Sequence, residues 1–315
     1  MMMNRQSVSR ICIAALFLLP VFAGAQDAEE TAAYQAWHAA NAAKEIPKGY
    51  ELAKQYVQKY PKGQYAEFLG KWIASARGAL FNEALKAKDT KTMLALGQER
   101  LAEDPGDLNY LLALALNLRR NALFASPADY THAAEIDTIS RSTIAQIEAG
   151  KTPAGVDAAK WNKNDALAWL HQNVALIAVK QKQEDEALQR LEQSSKLDPD
   201  NASLTAYNAF VCGTLRKERY DGAVARFQAL PEAERSGSEP SAAAKAAIDA
   251  ANQEADATLD CWAKFLALAE GQAAFAEVKP RIEKAAGDLW KYRHPDDPEG
   301  LSKLIAAKRA EGPQD

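Results

Sequence analysis

Four histidines, three cysteines and the adjacent arginines 119 and 120 are the residues with which this chain could do chemistry. The sharpest cluster is His294-Pro295-Asp296-Asp297 with Glu299 two residues on. An imidazole beside several carboxylates has the donor types for a divalent cation, and so for a metal-assisted hydrolase. Local pattern argues against it. Asp297-Pro298 reads as a capping side chain with proline in the first helical turn, which leaves the neighbouring carboxylates in a solvated turn. His38 and His171 lie within helical stretches with no cysteine or carboxylate placed for zinc. There is no Gly-rich phosphate loop, no Gly-x-Ser-x-Gly elbow and no catalytic cysteine pattern. The expectation is a protein without catalytic residues, metal or cofactor. Arg119-Arg120-Asn121 and Tyr207-Asn208 are different: polar groups on otherwise apolar helical stretches. An arginine in such a place can grip a carboxylate with two parallel hydrogen bonds.

Compartment bears on the cysteines. Arg5 and Arg10 precede an apolar run from Ile11 to Ala25, and Ala23-Gly24-Ala25 offers small side chains to a peptidase. This predicts a signal peptide over 1–25, cleaved after Ala25, and a periplasmic or otherwise exported protein. Cys12 lies too early for a lipid-anchored form. No later stretch is long enough to span a membrane. Cys212 and Cys261 could pair in an oxidising compartment, but their apolar helical neighbours favour two buried free thiols. With 38 Lys and Arg against 42 Asp and Glu, the charge gives no basic stripe, so nucleic acid is excluded as a partner.

The elements that must position these residues are helical. Ala, Leu, Lys, Glu and Gln dominate, all good helix formers. Helices are predicted over 29–45, 48–59, 64–87, 90–103, 107–124, 128–149, 163–182, 184–197, 202–218, 220–230, 241–270, 273–292 and 298–310. Ser126-Pro127 and Thr152-Pro153 read as helix starts, like Asp297-Pro298. Residues 112–118 alternate like a strand, yet the intervening Ala and Asn disfavour sheet, and the apolar stretch is long enough for a buried helix. Short connections make successive helices antiparallel. The longer breaks are 150–162 and 231–240.

One run carries a repeat. In residues 186–201 a small residue (Ala187) is followed by a bulky one (Leu191) and then by Pro199. Met93, Gly97 and Pro105 keep the same spacing. Ala53, Val57, Pro61 and Ala223, Phe227, Pro231 repeat it in a shorter form. The pattern resembles the second helix and turn of tetratricopeptide repeats, here of the exported bacterial type, since Tyr60-Pro-Lys-Gly-Gln-Tyr65 resembles the turns of such envelope proteins. Departures exist: the usual Gly and Tyr of the first helix are missing before Ala187, where Ala175 and Ala178 stand, and residues 108–182 are irregular.

The resemblance implies an all-α protein, an α-solenoid of antiparallel helix hairpins forming a right-handed superhelix. It would have an irregular middle insertion and a C-terminal helical cap. Residues 26–231 would form the repeat region and 241–315 the C-terminal helical region. It implies a scaffold holding a protein or peptide partner in a concave groove. The predicted lining is Asn82, Lys86, Asn109, Leu112, Arg119, Trp169, Gln172, Asn173 and Tyr207. The lysine and asparagine set with which relatives clasp acidic C-terminal tails is incomplete, because Gly78 stands where a lysine is wanted. Competing readings are the hydrolase above and a self-associating assembly protein.

Overall fold

The computed structural model describes residues 19–236 and 239–311, with side chains from residue 27 onward. The leader expected over 1–25 therefore lies outside the described side chains. Among the described residues there is no strand, and no helix is long and apolar enough to cross a membrane. The helices are α1 (Leu19–Ala42), α2 (Ile46–Lys59), α3 (Ala66–Ala87), α4 (Thr90–Glu103), α5 (Leu108–Leu118), α6 (Ala133–Glu148) and α7 (Lys163–Lys180). They continue with α8 (Glu184–Leu197), α9 (Ala202–Gln228), α10 (Glu232–Ser236), α11 (Ala242–Leu268), α12 (Lys279–Arg293) and α13 (Gly300–Ala310). The chain divides into two compact units, one ending at Glu99 and one beginning at Arg100.

In the first unit α1, α2 and α3 pack in sequence order. Their core is aromatic: Trp37, Tyr56 and Tyr60 close around Ala53 and Leu69. Tyr34 stacks on Tyr65 at 3.7 Å. The Tyr56 hydroxyl donates to Glu30, so this phenol keeps a polar partner while its ring is buried.

In the second unit α5 packs on α6, α6 on α7, α7 on α8 and α8 on α9. The repeat residues explain one of these contacts. Ala187 of α8 meets Ala175 and Ala178 of α7, while Leu191 packs toward Leu215 of α9. Small residues let two helix backbones approach, and the bulky one fills the space beside the next helix. In all four sequence units the small position, Ala53, Met93, Ala187 or Ala223, is fully buried.

The fourth unit differs from expectation. The predicted break between 218 and 220 is absent, and α9 runs unbroken to Gln228. No proline interrupts its hydrogen-bond ladder, and a long helix is what α11 packs along. Ala223 and Phe227 thus sit at the end of one helix, not on the second member of a hairpin. The three proline-based start signals also misplace helix ends. α6 begins at Ala133 and α7 at Lys163, well after Pro127 and Pro153, and Glu299 is the N-terminal cap residue of α13. The side chains that do cap are Asp89, Asp107, Asn162, Asn201 and Ser241, each accepting from the backbone N–H three residues on.

α9 and α11 lie antiparallel, as Arg216–Glu254, Cys212–Cys261 and the Phe210–Phe265 ring pair show. The segment between residues 231 and 240, read as a joint, connects these two packed helices. Their shared core extends to Ile282 and Leu289 of α12. Cys212 and Cys261 form a disulfide with Cα atoms 6.0 Å apart. This overturns the expectation of free thiols: the antiparallel register of two long helices brings together residues 49 apart in sequence. Gly213 lies against the indole of buried Trp262, where a Cβ would collide with the ring.

Two outcomes follow. Gly213→Ala, a change that stabilises an ordinary helix interior by about 1 kcal/mol, reverses sign here and destabilises by about 1–3 kcal/mol, read by urea unfolding. Under non-reducing denaturing conditions neither Cys212 nor Cys261 titrates as a free thiol, and replacing both by serine lowers stability by about 2–4 kcal/mol.

Candidate partner-binding site

The last turn of α5 does not close as an α-helix. Residues Arg119–Leu123 form a π-helical turn, a local widening found often where function displaces regular structure. It aims Arg119 across α7. Nη1 donates to Asn173 Oδ1 at 3.0 Å and to the Trp169 carbonyl at 3.5 Å, and Nη2 donates to Gln172 Oε1. The guanidinium lies over the Phe124 ring, 4.2 Å from its centroid, a cation–π contact.

Gln172 and Asn173 are fully buried. Gln172 Nε2 passes the chain on to Asn208 Oδ1 at 2.6 Å, and Asn208 Nδ2 donates to Ser194 Oγ at 2.9 Å and Ser195 Oγ at 3.1 Å. Each buried amide is thereby satisfied, which α-helices carrying internal polar groups require.

Arg119 has no carboxylate partner. Among the described residues none lies within ion-pair distance of it. Burial lowers its pKa to about 10, with the neighbouring Arg120 acting in the same direction and Tyr207 and Asp165 opposing. Asp165 itself is raised above the usual carboxylate range, first by burial and then by the charge of Asp198. Burial also raises the Tyr207 phenol, and Tyr130 adds to the effect. A guanidinium has five N–H donors. Three are in use here, and no bond takes Nε–H or the second hydrogen of Nη2. Near the guanidinium are half-buried Tyr207 and exposed Arg120, both of which it senses electrostatically, and exposed Phe124, whose ring it covers. The Phe124 and Tyr207 rings are 5.3 Å apart.

The predicted lining residues separate into groups. Arg119 lies close to Tyr207 and meets Trp169 through its backbone carbonyl, and all three are half-buried. Gln172 and Asn173 join them from inside, holding the guanidinium and reaching no solvent. A polar residue on an all-buried helix needs an internal partner, and Arg119 is that partner. Asn109 is exposed but committed, its amide bonded to the N–H and carbonyl of Ala154 in the loop before α7. Leu112 is half-buried on α5. Asn82 and Lys86 are exposed on α3 of the first unit.

Sequence reasoning missed Phe124 as a site residue and Asn208 as an internal link. The adjacent Tyr207-Asn208 was the available signal for the latter. The His294 cluster disperses. The His294 ring packs tilted against Trp290, centroids 4.3 Å apart, and lies 3.8 Å from Asp256, which Arg293 already grips through both oxygens. Glu299 pairs with Lys303. Among the described residues no group of three or more His, Cys, Asp or Glu could hold a metal ion. No protein-family model, curated protein or solved structure matches the chain.

Arg119→Met leaves Gln172 Oε1 and Asn173 Oδ1 buried without a donor, and the expected loss is about 1–3 kcal/mol. Arg120→Ala, at an exposed side chain, changes stability by less than about 0.5 kcal/mol. Denaturant midpoints of the two variants, measured side by side, check the contrast.

Proposed function

We propose that this chain is an exported, tetratricopeptide-like helical scaffold. It binds a protein or peptide partner of the cell envelope and holds a carboxylate of that partner on Arg119. The observation that carries the reading is the unused edge of Arg119. A guanidinium oriented by buried amides and left without an internal carboxylate is ready to take an external one through two parallel hydrogen bonds. Its surroundings suit the task. Phe124 and Tyr207 give an aromatic surface, a type favoured at protein interfaces, and exposed Arg120 adds charge that speeds encounter with an acidic segment. Pre-orientation by Gln172 and Asn173 removes part of the ordering cost that a flexible surface arginine would bear on binding.

The test uses the purified chain on arrays of extended peptides matched in all but charge, with Asp or Glu in one series and Asn or Gln in the other. Retention of the acidic series is expected, weakened at least tenfold by Phe124→Ala and by Arg119→Lys, since lysine cannot make the two-pronged bond. Circular dichroism of each variant monitors helicity. Equal retention of both series would remove Arg119 from the binding role. Capture of a partner from envelope extract, lost on replacing Arg119 and Trp169 together, extends the test to the natural ligand.

A further inference from the structure

A concavity lies in the same unit away from Arg119, between α8 and α11, with α9 as its floor and α13 at one side. Its volume is about 770 Å³, within the range of small-molecule sites. The Cys212–Cys261 disulfide, Leu188, Leu191 and Ala209 give it an apolar bed. Most of the cations around it are already paired: Lys196 with Glu192, Arg216 with Glu254, Arg219 with Glu184 and Asp185, and Lys308 with Asp260. Lys264 is the exception. It lines the groove, half-buried, and among the described residues it has no ion pair.

A second polar group there also lacks a partner. Thr205 lines the groove at 3% exposure, and its hydroxyl is buried with no hydrogen bond. A helical threonine can donate to the carbonyl four residues back, and the satisfied Thr214 does so. An unmet buried hydroxyl is costly, so a ligand that meets it recovers that cost. The antiparallel register set by Cys212–Cys261 places Thr205 and Lys264 on the same side of the disulfide, separated by about 6 Å along the helices. The Asn208–Ser194 and Arg219–Glu184 bonds put Leu191 of α8 level with the disulfide and Leu188 beyond it. The groove thus holds its unpartnered polar groups at one end, while Leu191, the disulfide and Leu188 run along the rest beside the paired Arg216 and Arg219.

We propose that this groove binds a small amphiphile with one anionic head: the head on Lys264 and the Thr205 hydroxyl, the apolar chain along Leu191 and the disulfide toward Leu188. A single free cation selects a single negative charge. The site is separate from Arg119 and stands whether or not the scaffold reading does.

Calorimetric titration of the full chain with decanoate, decan-1-ol and decyltrimethylammonium tests it. Decanoate is expected to bind one to one, decan-1-ol at least tenfold more weakly, and the cation not at all. Lys264→Met should lower decanoate affinity at least tenfold and leave that for decan-1-ol unchanged, and Thr205→Val should weaken decanoate severalfold. Absence of saturable decanoate binding, or equal affinity for decanoate and the cation on the unmodified chain, would overturn the proposal even if a variant failed to fold. Displacement of decanoate by an acidic extended peptide that binds more tightly would overturn it too, reassigning the groove to a polypeptide.

Discussion

From Arg119 the hydrogen bonds run inward through Gln172 and Asn208 to Ser194 and Ser195, crossing from the end of α5 through α7 and α9 to α8. Asn173 branches from the same guanidinium toward Ser140 of α6. Five helices therefore share one polar seam inside a core that is mostly aliphatic. Apolar packing alone lets helices slide by a turn at modest cost, whereas a slide here would leave several buried amides unsatisfied together. The seam fixes the rotation of each helix. In fixing α5 it sets the π-helical turn and the direction of the Arg119 side chain. The proposed site on the surface is the outer end of this internal constraint.

The second seam is between α9 and α11. Here the fixing elements are a close approach and a covalent bond. Gly213 admits the Trp262 ring against the α9 backbone, and one residue away Cys212 is tied to Cys261. Because α9 belongs to both seams, it couples the α5–α8 layer to the C-terminal helices α11, α12 and α13. The groove that carries Lys264 and Thr205 is bordered by α8 and α11, which both pack on α9. Asn208 and Ser195 border that groove and also belong to the polar seam.

The two surfaces differ in how readable they were. Arg119, Trp169 and Tyr207 stood out as polar or amphipathic residues in apolar helical stretches, and that contrast is local. Gln172 and Asn173 shared the signal, but a polar residue in an apolar helix faces either a partner or an internal bond, and periodicity cannot separate the two. Phe124 went unnoticed because an aromatic at a helix end is ordinary until an arginine is found beneath it. Lys264 and Thr205 gave no signal at all. A lysine in a helix is usually solvated and a threonine usually bonded to its own backbone. Only the neighbours supplied by other helices make both unusual.

Helical content and the buried repeat positions Ala53, Met93, Ala187 and Ala223 follow from residue type and spacing within a turn or two, so the sequence alone determined them. Helix ends were only partly determined, since capping residues such as Asn162 and Asn201 compete with many similar side chains. The length of α9, the pairing of Cys212 with Cys261 and the inward bonds of Gln172 and Asn173 were decided by tertiary structure. Each depends on contacts between segments tens of residues apart, and the sequence pattern of one helix does not contain the register of its neighbour.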